Sequence, residues 1–367
     1  MSFRLHIQCF PWDLTEGDVG AVLGRLRGEV GIDGLSVWGA VPEVTQLGVR
    51  AGRGRVFDTR GGVFFAPRES LYTRLHAQPV VSTWVRGGDP LEDARKLCEC
   101  HWLALRVVVS ASRCGRMAER YPELACRNVF GAESRESVCL SNPHVREYLM
   151  VLLGNLASAY APAAIVLTDA SSGWSEAFSP QLRTPIPLDE AARSALSICF
   201  CECCVREMRE AGIDVDRARA AAEKDAARWS ESGDSSPLRD GVLSAILRER
   251  DRVAAEFFAK LRASCPRPIL IDGGRGTTAD IVAIGESSEL AEVAEGRTTP
   301  WEIRVGAEWA IRDGGASLVA LLSEASQHGV SGATIDNLGL LPDKALTVLR
   351  QAGRFARRTG DNSISPE

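Results

Sequence analysis

Six consecutive residues, Cys199-Phe200-Cys201-Glu202-Cys203-Cys204, set three thiols at C-x-C-x-x-C spacing ahead of a predicted helical segment. Thiolates held that closely grip a soft metal, and a tetrahedral zinc site asks for a fourth ligand from elsewhere in the chain. The chain has eleven cysteines, an odd number that cannot pair completely, which favours free thiols and ligation over disulfides. Cys203 falls between ligands and is an alternative to Cys204 in such a site. Cys98-Glu99-Cys100-His101 is a second metal-like cluster, but it continues the helical pattern of residues 91–97, which turns its thiols to the core. Cys114 and Cys126 lie in one loop without an adjacent histidine to activate them, so a structural role is expected.

Carboxylates and indoles form the second chemical group. Asp169 ends the apolar run 163–167, Asp272 follows a run at 268–271, and Glu308 follows one at 302–305. Trp12-Asp13, Trp38, Trp309 and Asp336-Asn337 also stand at the ends of apolar runs, as do Ser110 and Arg113. Carboxylates bond hydroxyl groups and aromatic faces stack on C–H surfaces, a combination suited to a sugar or another polyhydroxylated ligand. Gly273-Gly274-Arg275-Gly276 has neither phosphate-loop fingerprint, yet its arginine offers a place for an anion. Five histidines are too few and too scattered for a triad or a three-histidine metal site.

For these residues to converge, the apolar runs must be strands of one closed sheet. Buried-strand patterns fall at 5–10, 35–37, 105–110, 164–168, 268–271, 280–284, 302–305 and 333–335, with helical patterns between them at 16–27, 89–100, 143–159, 188–199 and 239–262. About eight β/α units predict an α/β fold, the (β/α)8 TIM barrel, in which chemistry sits at the C-terminal ends of the strands. Asn142-Pro143 is a helix start, and Gly212 a helix stop. Residues 53–67 read as a β-hairpin around Arg60-Gly61-Gly62, inserted after strand 2, and residues 170–240 as a long zinc-binding excursion after strand 4. One barrel domain is expected over 1–358, with insertions at about 40–80 and 170–240, and a disordered tail over 359–367.

Composition agrees with such a barrel. The chain has 367 residues, 45% hydrophobic and 25% charged, enough to bury a large core. A net charge of -5 gives no reason to expect nucleic acid or an anionic membrane as partner, and a small-molecule substrate is expected. No apolar stretch reaches the ~20 residues of a membrane span, and the first residues lack a secretory pattern, so a cytoplasmic location is expected.

The segment Val138-Cys139-Leu140-Ser141-Asn142-Pro143-His144-Val145-Arg146-Glu147-Tyr148, read with the strand and the C-x-C-x-x-C cluster after it, resembles the β-galactosidases of glycoside hydrolase family 42. Stretches at 121–131, 211–216 and 337–342 are also similar to uncharacterised bacterial hydrolase-like barrel proteins. The family 42 resemblance implies a zinc held by Cys139, Cys199, Cys201 and Cys204. Four thiolates leave no open coordination position, so that zinc is structural. The resemblance also implies a general acid/base at Asp169 and a nucleophile or electrostatic stabiliser at Glu308. This chain departs from the family's pattern at the first position, with Thr168-Asp169 in place of asparagine-glutamate.

Asp13 and Asp272 are further candidates for base or hydroxyl binding, and Trp12, Trp38, Arg113, Arg275, Trp309 and Asn337 for substrate contacts. The leading expectation is a glycoside-hydrolase-like enzyme using carboxylate acid/base chemistry. Two alternatives stand beside it. One is a biosynthetic enzyme that performs an intramolecular displacement or cyclisation, with Asp169 or Asp13 as base and Arg113 or Arg275 holding the leaving group. The other is a non-catalytic binding or scaffold protein in a hetero-complex, with the hairpin at residues 53–67 as its interaction edge. A homo- or hetero-oligomer is compatible with each of these readings.

Overall fold

In β1 (Arg4–Cys9), Leu5, Ile7 and Cys9 alternate with His6 and Gln8, and the two sets go to opposite sides of the strand. The apolar set joins the shell of core that packs strands against helices, which turns His6 and Gln8 to the inside of the sheet. The computed structural model describes residues 3–15, 17–48, 55–170, 196–232, 241–273 and 279–362. Within it, β2 (Gly34–Val41), β3 (Ala104–Ser110), β4 (Ala164–Thr168), β5 (Ile269–Gly273), β6 (Ile281–Ala283), β7 (Glu302–Gly306) and β8 (Gly332–Asp336) follow β1, each parallel to its neighbours. Gln8 of β1 is in register with Ser36 of β2 on one side and Asp336 of β8 on the other, so the sheet closes. The fold is the expected (β/α)8 barrel.

Helices Val19–Arg25, Pro90–Cys100, Pro143–Tyr160, Gly241–Ser264, Glu289–Ala294, Ala316–Gln327 and Ala345–Asn362 lie between and after the strands. Asn142 caps its helix by accepting from the His144 amide, with Pro143 at the first helical position. The predicted helix over 188–199 lies largely outside the described residues, and Cys199 itself sits in non-helical chain. The last helix runs to Asn362, past the expected boundary at 358. Among the described residues no helix is long and apolar enough to cross a membrane.

Both insertions are present. The hairpin after β2 has its arms at Val44–Gly48 and Arg55–Thr59, earlier than the 53–67 expected. Gly62 and Val63 instead return to pair antiparallel with the end of β2, because Val63, Phe64 and Phe65 are all buried and cannot serve as an exposed arm. After β4 the described part of the excursion holds helices Glu202–Glu210 and Val215–Ser232. Gly212 ends the first of these at φ 73°, as expected. Ile198, Phe200, Met208, Val215, Leu243 and Ile246 give this region a small core of its own.

Candidate active site and metal centre

The polar inner face of the strands becomes a site at their C-terminal ends. Asp169, one residue past β4, has φ 51°, a left-handed conformation that a non-glycine residue holds only when its surroundings fix it. Three hydroxyls do so. Ser110 Oγ donates to Asp169 Oδ2 at 2.6 Å, Thr168 Oγ1 donates to the same oxygen at 3.0 Å, and Ser112 Oγ donates to the Asp169 carbonyl at 2.8 Å.

Arg304, on β7, stands at the centre of the mouth. Its Nε donates to Asp272 Oδ2 at 2.6 Å and its Nη1 lies 3.8 Å from Asp336 Oδ2, while Gln8 Nε2 donates to the other Asp336 oxygen at 3.2 Å. Burial raises the Asp272 and Asp336 carboxyls above the ordinary range, and the charge of Arg304 offsets part of that rise. Asp169 bears electrostatically on Asp272 and Arg304, and Glu308 on Asp336. Glu308 itself is exposed in the turn Ala307–Ala310, its carboxylate folded back over Gly306, where any Cβ would overlap it. Four carboxylates and one guanidinium therefore share the mouth.

The remaining candidates fall elsewhere. Asp13 accepts from the Phe10 amide at 2.8 Å and from Gln46 Nε2 at 2.9 Å, and Asn337 donates to Gln46 Oε1 at 3.1 Å, so both brace the loop beneath the hairpin. Trp12 is fully buried in an aromatic stack with Phe10 at 4.5 Å and Phe57 at 5.9 Å. Trp38 stacks on Phe10 at 5.6 Å in the same inner cluster, whereas Trp309 packs in the outer shell between barrel and helices. Arg113 pairs with Glu136 at 3.6 Å and bonds Ser110 Oγ through its amide at 3.2 Å, next to the Asp169 support. Arg275 lies outside the described residues.

Sequence reasoning missed Arg304 and Gln8. The signal was present: Glu302-Ile303-Arg304-Val305 and Leu5-His6-Ile7-Gln8 alternate charged or polar with apolar side chains in strands that a barrel buries on both faces. A polar residue in such a strand faces the interior and needs a partner there.

Cys139, Cys199, Cys201 and Cys204 come together, their sulfur atoms all within 4.8 Å of one another. Cys139 Sγ lies 3.4 Å from Cys204 Sγ and 3.6 Å from Cys201 Sγ. A tetrahedral ion with bonds of about 2.3 Å holds its sulfurs roughly 3.8 Å apart, so the set fits a thiolate-bound metal after small adjustments of the S···S distances. The Arg127 amide points at Cys199 Sγ from 3.3 Å, and Phe200 N bonds the Arg127 carbonyl, which ties the excursion to the strand Ala125–Arg127. Cys201 caps the helix Glu202–Glu210, so its thiol and that of Cys204 sit at the positive end of the helix. Hydrogen bonding from Cys126, joined by Cys201 and Cys204, pulls the Cys139 thiol down to about 5. Cys126 is a fully buried fifth thiol beside the set, while Cys203 only packs against it. Cys98 is buried in the main core and Cys100 is exposed, so that pair forms no metal group.

The closed (β/α)8 barrel is a fold shared with solved glycosidases. Solved structures of that kind superpose on nearly the whole chain. They include an α-L-fucosidase isoenzyme from Paenibacillus thiaminolyticus, with TM-score 0.55 and 12% identity over 98% of this chain. A family 42 β-galactosidase gives TM-score 0.55 and 12% identity over 98%, and the β-galactosidase of Halorubrum lacusprofundi gives 0.52 and 13% over 96%. The chain spans 49%, 57% and 58% of those proteins respectively, and at this identity the likeness is one of fold. The family 42 resemblance read from the Cys139 segment thus holds at the level of the barrel. No protein-family model matches the sequence, and no curated protein matches it.

Proposed function

We propose that this chain is a glycoside-hydrolase-like enzyme that acts on a small polyhydroxylated substrate at the C-terminal mouth of the barrel. The observation that carries this reading is the fixed placement of Asp169 beside Asp272 and Arg304, with Glu308 and Asp336 supplied by the next strands of the same rim. Asp169 serves as general acid/base, its carboxylate aimed by Ser110 and Thr168. Glu308, exposed and unburdened by a salt bridge among the described residues, serves as nucleophile or electrostatic stabiliser. Asp272, buried, and Asp336, half-buried, share Arg304, hold substrate hydroxyls and set the local charge. The solved neighbours of this fold bear the names of a fucosidase and galactosidases, which supports glycosidic bonds as the substrate class. In the same reading Cys139, Cys199, Cys201 and Cys204 hold one structural zinc that fastens the excursion after β4 to the barrel.

The test is a panel of aryl glycosides assayed with the wild-type protein and with Asp169→Asn. Turnover that falls about 10²- to 10⁴-fold in the variant is expected; equal turnover in both proteins refutes the assignment. Arg304 favours a second reading. A guanidinium at the centre of the mouth suits an anionic leaving group in an intramolecular displacement, with Asp169 as base. Silence on every aryl glycoside would turn the assignment to that reading.

A further inference from the structure

The opposite end of the barrel carries a cavity, separate from the mouth. The first residues of the strands enclose about 300 Å³ there, lined in part by Arg4, His6, Arg106, Trp301 and Glu302. His6 is 2% exposed, and neither of its ring nitrogens has a hydrogen-bond partner. Two neighbouring inner-face hydroxyls, Ser36 Oγ and Thr334 Oγ1, are buried and unpartnered as well. Buried polar groups in folded proteins are satisfied by protein, water or ligand, and of these three His6 lines the cavity, so its ring points to an occupant there. Gly34 keeps room for the imidazole, since a Cβ there would lie 2.9 Å from His6 Nδ1.

The charges that remain free decide what the occupant is. Arg106 and Glu302 neutralise each other in a bidentate pair at 2.6 and 2.7 Å. Asp280, also on the lining, is taken by Arg262 and by the Ile271 amide. Arg4 is exposed at the rim and has no ion-pair partner among the described residues, and its charge bears on His6. One free guanidinium and one imidazole N–H donor make a site for an oxyanion, whereas a cation would find both lining carboxylates already paired. We propose that the N-terminal end of the barrel binds one small oxyanion, a carboxylate or a phosphate, through His6 and Arg4. This site is independent of the chemistry assigned to the mouth.

Isothermal titration of the full chain with sodium phosphate and with sodium acetate, at constant ionic strength, tests it. Saturable binding of one anion per chain is expected, weakened at least tenfold in both Arg4→Gln and His6→Gln and unchanged in Arg304→Gln. Tighter phosphate binding assigns the site to phosphate groups, and tighter acetate binding to carboxylates. Arg4 is exposed, so Arg4→Gln carries the test even where His6→Gln fails to fold. Absence of saturable heat with both anions, or an affinity that survives Arg4→Gln, or one that is lost in Arg304→Gln instead, overturns the proposal.

Discussion

Glu302→Gln should destabilise the barrel far more than its size suggests. Arg106 on β3 and Glu302 on β7 meet across the barrel interior through two hydrogen bonds at 2.6 and 2.7 Å, with side chains only 6% and 11% exposed. Removing the carboxylate charge leaves the guanidinium buried beside His6 with no counter-charge. Breaking one partner of a buried pair costs about 3 to 5 kcal/mol. An unfolding entropy of about 2.1 cal/mol/K per residue over 367 residues gives roughly 0.8 kcal/mol/K, so the midpoint should fall by about 4 to 6 °C. The double variant Arg106→Met/Glu302→Leu removes both charges and keeps apolar volume. It should regain most of the loss, because the desolvation penalty of both ions disappears with them. Differential scanning calorimetry of the wild type, the single variant and the double variant reads both numbers. A loss below about 1 °C in Glu302→Gln would mean that water from the adjoining cavity solvates this pair and that its burial contributes little.

Three further outcomes follow from the same geometry. Purified protein should carry one zinc per chain by atomic emission; Cys204→Ser or Cys139→Ser should lose the metal and lower thermal stability, whereas Cys203→Ser should change neither. Burial, with the charges of Arg106 and Arg4, holds His6 well below its ordinary value of 6.5, so the folded state keeps the ring neutral while the unfolded chain protonates it. The stability this contributes is therefore complete above pH 6.5 and is lost as pH falls below it, by up to about 1.4 kcal/mol per pH unit; His6→Gln should flatten the denaturation midpoint between pH 6.5 and 5, and an unchanged slope would contradict the burial of the ring. Ser110→Ala removes the shorter of the two hydroxyl bonds to the Asp169 carboxylate, and should lower turnover while leaving the melting temperature within about 2 °C of wild type.

The barrel was legible in the sequence because its strands are short apolar runs with helical patterns between them, and a parallel sheet must be buried on both faces. Asp169 was legible for the same reason: it is the first charged residue after such a run. The hairpin was legible as an insertion but not in its arms, since Val63-Phe64-Phe65 has the same β-propensity whether it pairs with Arg55–Thr59 or, as it does, turns back to the edge of β2. Residue type also could not separate Asp13 from Asp272. Both are buried carboxylates at the C-terminal ends of strands, yet one is consumed by the Phe10 amide and Gln46 and the other faces Arg304.

By itself, then, the order of residues determined the eight repeating units, the inward set of polar side chains on β1 and β7, and the close spacing of Cys199, Cys201 and Cys204. These are local properties, fixed by periodicity and by distances along a few residues of chain. Only closure of the barrel decided which groups meet. It set Arg106 against Glu302, 196 positions apart, gathered Arg304, Asp272 and Asp336 at one rim, and carried Cys139 and Cys126 to the thiols of the excursion. The partnerships inside the barrel depend on strand register around a closed sheet, and a shift of one residue would turn each of those side chains to the other face.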